Sequence, residues 1–182
     1  IGDWVFKGCS SLTSITIPFV GTTKGGTRYT HFGYIFGASS YSSNNDYVPK
    51  SLKTVVITGG SRGIGAAAVE LFAARGDRVY FLYENNHEAA AAVAERTGAT
   101  AICCDVADGA AVRAAFQTIP DVDILVCNAG ISISGLVHQM SEENWDRLFD
   151  VNVKGMYHCI NAAIPYFLQK QRGSIVTVSS MW

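Results

Sequence analysis

Short apolar runs alternate with helical patterns along residues 51–182, and this alternation predicts the fold. The run Thr54–Thr58 is β-branched and apolar, as expected for a strand that is buried on both faces of a parallel sheet. Residues 64–75 carry apolar side chains at helical spacing, and Gly76 follows as a residue that ends helices. Arg78–Tyr83 is a second apolar strand, so this segment predicts a strand, a turn, a helix and a strand.

The same pattern continues to the end of the chain. Further apolar strands are predicted before Asp105, at residues 123–127 and at residues 174–179. Alanine-rich stretches between them favour helices, and residues 141–171 show one long helical pattern that Pro165 interrupts. We therefore expect an α/β fold, a doubly wound parallel sheet of five strands that is truncated at its far edge.

Composition changes near residue 50, which divides the chain into residues 1–50 and 51–182. The first part is rich in Gly, Ser, Thr, Asn and aromatic residues and has almost no helical pattern. One short strand is predicted there, around the apolar residues Leu12, Ile15 and Ile17. We expect this part to be an irregular, β-like N-terminal extension.

The stretch F-x-x-C-S-S-L-T-S-I-T-I-P within the extension resembles one unit of the leucine-rich repeats of bacterial surface proteins. A single unit cannot bury its own apolar face, because such repeats are stable only when several stack. Residues 19–50 resemble an insertion of the kind that these proteins carry. Two interpretations stay open: a poorly ordered extension, or a piece of a surface protein joined to the second half.

Charge and cysteine usage exclude several classes of protein. The 182 residues carry a formal net charge of −1, which gives no electrostatic reason to expect binding to nucleic acid or to an anionic membrane. No apolar run approaches a membrane span, and no signal peptide is visible. The 5 cysteines lack a Cys-x-x-Cys, and the histidines lack metal-ligand spacing, so we expect reduced thiols, a cytoplasmic location and no metal.

A glycine-rich turn, TGGSRGIG, connects the first strand of the second half to its helix. Glycines at 59, 63 and 65 allow a tight turn and a close approach of the backbone to a phosphate. The N–H groups and partial positive charge of a helix N-terminus favour a pyrophosphate. The sequence therefore predicts a dinucleotide site at this turn, formed by Gly59, Ser61, Arg62, Gly63, Ile64 and Gly65.

TGGSRGIG is similar to the cofactor motif of the short-chain dehydrogenases/reductases, and further motifs of that family follow in the right order. The resemblance covers roughly residues 52–182. It implies that Asp105 and Val106 contact adenine. It implies further that the NAG motif lines the cofactor cleft and stabilises the sheet through Asn128, Ala129 and Gly130. In the family, the residue matching Asn152 supports a proton-relay water and the residue matching Ser180 polarises the substrate carbonyl.

The choice of cofactor depends on two positions. The residue expected at the end of the second strand, Tyr83, is not a carboxylate that would bind a ribose 2′-OH, although Glu84 is adjacent. Arg62 lies in the turn and offers a charged fork for a 2′-phosphate, or is simply a solvated turn residue. We expect NADP, with NAD as the alternative.

The stretch YFLQK has the Tyr-x-x-x-Lys spacing of the family's catalytic pair, in Tyr166 and Lys170. In the family this pair follows the strand that carries the catalytic serine, whereas here it precedes residues 174–179. We interpret Tyr166 as a half-buried tyrosine and Lys170 as a surface lysine near a helix end. We therefore expect the chain to lack the catalytic pair and to be inactive by itself.

The resemblance implies NAD(P)-dependent hydride transfer between the nicotinamide and a small carbonyl or alcohol substrate. The motifs look most similar to 3-oxoacyl-carrier-protein reductases. A full-length protein of this family is expected to form homo-oligomers through residues 141–171, with Trp145, Phe149 and Met156 as candidate contacts. The alternatives are a non-catalytic nucleotide-binding module, or a surface-repeat fragment joined to a reductase fragment.

Overall fold

The computed structural model describes residues 54–180 and the backbone of residues 14–17. Most of the extension therefore lies outside the described residues, including the segment that resembles an insertion and most of the segment that resembles a leucine-rich repeat. The five strands predicted in the second half are all present. Strands and helices follow in the order β1 Ser14–Ile17, β2 Thr54–Thr58, α1 Gly63–Ala74, β3 Arg78–Tyr83, α2 His87–Thr97, β4 Thr100–Cys103, α3 Gly109–Gln117, β5 Ile124–Cys127, a 3₁₀ turn Val137–Gln139, α4 Glu142–Phe149, a π-helical segment Asp150–Lys154, α5 Gly155–Lys170 and β6 Ser174–Val178.

The strands form one parallel sheet in the order β1-β6-β5-β2-β3-β4. The short strand predicted near Ile15 is present as β1, but it was not expected to join this sheet. It pairs with β6 in the register Ser14↔Ile175 to Ile17↔Val178. The described part of the sheet therefore has six strands instead of five, and β1 lies at the edge that we expected to be missing.

Successive side chains of a strand point to opposite faces, so the central strand β2 contributes to two cores. Val55 and Ile57 pack against α1 and α2 on one face, where Phe72 and Phe81 are fully buried. Val56 packs on the other face against α3 and α5. Helices cover both faces of the sheet, which confirms the doubly wound α/β fold.

The long helix predicted for residues 141–171 is divided in the structure. Helix α4 ends at Phe149, and the π-helical segment Asp150–Lys154 leads into α5, which contains Pro165. Met156 was a candidate contact between subunits, but it packs against the core between the sheet and α5. Apolar periodicity predicted the helical segment but not the change of hydrogen-bond register, because a π turn keeps the chain helical.

Among the described residues, no helix combines the length and apolar character that a membrane span requires.

Candidate functional site

The glycine turn between β2 and α1 is shaped by positive φ angles at two glycines and by close contacts at a third. Gly59 and Gly63 have positive φ angles of 68° and 56°. A Cβ atom at Gly65 would collide with the carbonyl oxygen of Gly59 and approach Nδ2 of Asn128 to 2.7 Å. The turn therefore closes tightly and presents its backbone, which is the geometry that a phosphate-binding turn requires.

Helix α1 begins at this turn, with Arg62 at its N-cap in an extended conformation. The Arg62 side chain makes no capping hydrogen bond to the helix. The first turn of α1 thus offers N–H groups without a side-chain cap, at the positive end of the helix dipole. Ser61, Arg62, Gly63 and Ile64 all line the cleft in front of it.

Asn128 connects the carboxyl ends of β2 and β5. Its Nδ2 donates to the carbonyl oxygens of Thr58 at 3.1 Å and Gly59 at 3.2 Å. The backbone N–H groups of Asn128 and Ala129 both donate to Oγ1 of Thr58, at 2.9 Å each. The sequence identified Asn128 but not Thr58, because a buried threonine in a strand has no distinctive pattern.

Asn152 lies in the π-helical segment and holds the loop that follows β5. Its Oδ1 accepts from the N–H of Ile131 at 2.8 Å, and its Nδ2 donates to the carbonyl oxygen of Ile131 at 2.9 Å. Asn152 is therefore bound to backbone and fixes the position of Ile131, which lines the cleft. π segments inside helices are frequent at functional sites.

Asp105 and Val106 follow β4 on the other side of the cleft. Oδ1 of Asp105 accepts from the N–H of Ala107 at 2.9 Å, and its Oδ2 accepts from Nη1 of Arg147 at 2.8 Å. This hydrogen bond raises the pKa of the Arg147 guanidinium above its usual range. Arg147 was not predicted from the sequence, because it lies 42 residues from Asp105.

These residues surround one cleft of about 380 Å³ at the carboxyl ends of β2 to β5, where doubly wound sheets bind ligands. Ten of the thirteen residues predicted from the sequence for the site line it: Gly59, Ser61, Arg62, Gly63, Ile64, Asp105, Val106, Asn128, Ala129 and Gly130. Gly65 lies behind the turn, and Asn152 acts through Ile131. Ser180 is exposed beyond the end of β6.

Cys104 also lines the cleft, and its thiol is not set up as a nucleophile. Burial, with a smaller contribution from the Asp105 carboxylate, raises its pKa to about 11. A thiol with such a pKa stays protonated at neutral pH, so it contributes an apolar wall.

Tyr166 and Lys170 lie away from the cleft, which agrees with the interpretation that they are not a catalytic pair. The Tyr166 hydroxyl donates to the carbonyl oxygen of Phe116 at 2.8 Å and lies 3.2 Å from that of Ile119. Burial, with a smaller effect of the Asp121 carboxylate, raises the pKa of Tyr166. A general acid at neutral pH needs the opposite shift.

The prediction that Lys170 is a surface lysine was wrong. Its side chain is only 18% exposed, and its Nζ lies 2.7 Å from carboxylate oxygens of both Asp121 and Asp123. Asp123 also accepts from the N–H of Thr54 at 2.9 Å, so this cluster joins α5 to the amino ends of β2 and β5. The helix-end pattern of the sequence could not show that the lysine bends back onto the sheet.

A family model described as short chain dehydrogenase matches residues 53–182. The chain is 36% identical over 141 residues to the 3-oxoacyl-[acyl-carrier-protein] reductase FabG of Staphylococcus aureus. This alignment covers 72% of this chain and 57% of that protein. It is 45% identical over 106 residues to the cyclic-di-GMP-binding biofilm dispersal mediator protein of Escherichia coli, covering 58% of this chain and 45% of that protein. The chain spans about half the length of the curated relatives it matches.

A solved structure of a short-chain dehydrogenase from Streptomyces avermitilis has the same fold. It is similar with a TM-score of 0.65 and 30% sequence identity, over 70% of this chain and 48% of that one. The matched part corresponds in size to the described sheet with its helices, and the extension at residues 1–50 lies outside the family match.

Proposed function

The chain belongs to the short-chain dehydrogenase family, and we propose that it binds NADP for hydride transfer between the nicotinamide and a carbonyl or alcohol substrate. The observation that carries this proposal is the closed glycine turn, where a Cβ atom at Gly65 would collide with Gly59. A turn packed this closely serves the approach of a pyrophosphate to the backbone. The bound nicotinamide would supply or accept the hydride.

Each wall of the cleft has a proposed role in holding the dinucleotide. Ser61, Arg62, Gly63 and Ile64 would hold the pyrophosphate at the N-terminus of α1, supported by their position along the cleft. Asp105 and Val106 would contact adenine. Asn128, Ala129 and Gly130 would line the part of the cleft that leads to the nicotinamide.

We favour NADP over NAD because of the residues after β3. Tyr83 ends this strand without a carboxylate, and the carboxylate of Glu84 is engaged by Arg147 at 2.9 Å. Arg62 is exposed, lines the same cleft and is available for a 2′-phosphate. NAD remains the alternative.

For the reaction itself, we propose that Ser180 polarises the substrate carbonyl and that Asn152 positions the loop at Ile131. Tyr166 and Lys170 are engaged by other groups, at the amino ends of the strands. We therefore propose that this chain binds the cofactor but does not turn over substrate by itself. Similarity to the Staphylococcus aureus reductase supports a 3-oxoacyl thioester as the substrate of the whole protein.

Three further proposals concern the domains, the location and the oligomeric state of the protein. Residues 51–182 would form the NAD(P)-binding unit and residues 1–50 an extension. The protein would act in the cytoplasm, and it would form homo-oligomers through α4 and α5. The matched family and the reductase relative favour an oxidoreductase over a non-catalytic nucleotide-binding module.

Titration with NADPH and NADH, followed through the fluorescence of the reduced nicotinamide, tests the proposal. We expect saturable binding, tighter for NADPH, and no oxidation of NADPH when a 3-oxoacyl thioester is added. A Tyr166→Phe variant should bind NADPH with unchanged affinity, because Tyr166 lies at the other end of the sheet. Failure to bind either dinucleotide at millimolar concentration would refute the proposed function.

A further inference from the structure

Arg147 connects two acidic residues at the ends of neighbouring strands. Its Nη2 lies 2.9 Å from Oε1 of Glu84, directly after β3. Its Nη1 lies 2.8 Å from Oδ2 of Asp105, after β4. The two arms of one guanidinium fork therefore hold two carboxylates that are 21 residues apart in sequence.

Both carboxylates line the cleft at the end proposed to hold adenosine, whereas Arg147 is not among the residues that line it. Asp105 is fixed from two sides, since its other oxygen accepts from the N–H of Ala107. Among the described residues, the Glu84 carboxylate is held only by this ion pair, and its side chain is 47% exposed. Loss of Arg147 would thus leave Asp105 in place and release Glu84.

A released Glu84 would have two effects on a dinucleotide. Its carboxylate would accept hydrogen bonds from a ribose 2′-OH, which favours NAD. Its negative charge would repel a 2′-phosphate. With Arg147 present, the charge of Glu84 is partly compensated and its Oε1 is occupied, although the guanidinium is shared with Asp105. A phosphate can then bind to Arg62, which lines the same cleft.

We propose that Arg147 determines the choice between dinucleotides with and without a 2′-phosphate, by holding Glu84 away from the ribose. Arg147 is a positioning residue, because it acts through Glu84 and does not itself line the cleft. This inference rests on the proposed function, since it presupposes that a dinucleotide binds with its adenosine end between Glu84 and Asp105.

Affinities for 2′,5′-ADP and 5′-AMP, measured by isothermal titration calorimetry, isolate the adenosine end from the nicotinamide. In Arg147→Ala we expect the preference for 2′,5′-ADP over 5′-AMP to fall by about tenfold, as one unscreened charge close to the phosphate would cause. The double variant Arg147→Ala/Glu84→Gln should regain the preference of the unsubstituted protein, because no carboxylate is then released. The preference for NADPH over NADH should fall in Arg147→Ala and be regained in the double variant in the same way.

Arg96→Ala is the matched control. Nη2 of Arg96 makes an ion pair of similar length, 2.8 Å, with Oε1 of Glu70 between α2 and α1. Neither residue lines the cleft. We expect the preference for 2′,5′-ADP to be unchanged in this variant, which separates loss of an ion pair in general from the effect of Arg147.

The outcomes separate the inference from the proposed function. An equal loss of affinity for both nucleotides in Arg147→Ala would show a merely structural role and overturn the inference. So would failure of Glu84→Gln to restore the preference in the double variant. If the unsubstituted protein binds neither the adenosine nucleotides nor NADPH and NADH, the proposed function fails and the inference fails with it.

Discussion

Two glycines of the turn after β2 differ in what surrounds them. Gly65 faces the carbonyl oxygen of Gly59 and the amide of Asn128, whereas no atom lies within 4 Å of a Cβ built at Gly63. Gly63 instead requires a positive φ of 56°. Space is therefore the constraint at Gly65, and backbone conformation is the constraint at Gly63.

We predict that Gly65→Ala is more damaging than Gly63→Ala. The first substitution forces β2 and β5 apart and should abolish binding of NADPH, with a loss of unfolding free energy of about 2–4 kcal/mol. The second adds only left-handed strain, about 1 kcal/mol. Urea unfolding and NADPH titration of both variants measure this difference. Equal losses in the two variants would contradict the close packing of the turn.

The Tyr166→Phe variant tests whether the Tyr166 hydroxyl has a structural role instead of a catalytic one. We predict a loss of about 1 kcal/mol in the unfolding free energy at pH 7, since the variant removes the buried hydroxyl that donates to the carbonyl oxygen of Phe116 and lies 3.2 Å from that of Ile119. Burial raises the pKa of Tyr166 above 10.0, so its contribution to stability is complete below about pH 10. That contribution is lost as the pH rises through the raised value.

The stability difference between the two proteins should therefore shrink between pH 7 and pH 10.5, which urea unfolding at both values would measure. The effects of other groups that titrate in this range on the unfolding free energy cancel in this comparison, because both proteins contain those groups. A difference that grows with pH would show that the phenolate is the favoured form, as in a catalytic tyrosine.

The sequence predicts those single residues that belong to a local motif. Asn128 and Asp105 were identified because the NAG motif and the Asp-Val pair resemble motifs that follow apolar strands in the family. Arg147 and Thr58 were missed, since their partners lie 42 to 71 residues away. Which arginine meets which carboxylate is decided by how the helices pack on the sheet, and that packing is not encoded in any single segment.

Among the strands and helices, the pairing of β1 with β6 has the clearest test. A chain that begins after residue 18 would expose the edge of β6. We predict that amide hydrogens of residues 174–178 then exchange faster with deuterium, because their strand loses a neighbour, whereas those of β2 stay protected between β3 and β5. Mass spectrometry of both chains would measure the rate of this exchange. An unchanged rate in β6 would show that β1 does not pair with it in solution.

Strands of the second half were predicted closely because parallel strands buried on both faces are continuous apolar runs. Thr54–Thr58 and Arg78–Tyr83 have the same bounds in the structure. The position of β1 could not be predicted in this way. Strand pairing is a relation between distant segments, and a run such as SITI is compatible with any free sheet edge.

The molecule as a whole exposes apolar side chains on one stretch of helix. Trp145, Phe149, Val153 and Tyr157 follow each other at intervals of four residues along α4, the π segment and α5, and all are exposed. Leu168, further along α5, is 71% exposed. Contiguous apolar surface of this kind is typical of an interface, which supports the proposed homo-oligomer.

We predict that Val153→Glu lowers the association of the protein, because a carboxylate buried at the interface would be desolvated. The apparent dissociation constant should rise by about 100-fold or more, measured by size-exclusion chromatography with light scattering over a range of concentrations. Val137→Glu is the control, since Val137 is 88% exposed and belongs to the 3₁₀ turn, outside α4, the π segment and α5. Identical masses for the Val153→Glu variant and the unsubstituted protein would count against this interface.

The pairing of β1 with β6 also bears on how the molecule folds. Ser14 is paired with Ile175, so the contact closes a loop of 161 residues (175 − 14). The entropy lost on closing so long a loop delays the contact until nearer segments have formed, and β2, β3 and β5 pair over much shorter separations. The strand β1 is thus expected to dock among the last, after β2 to β5 and the helices between them have already formed the cleft.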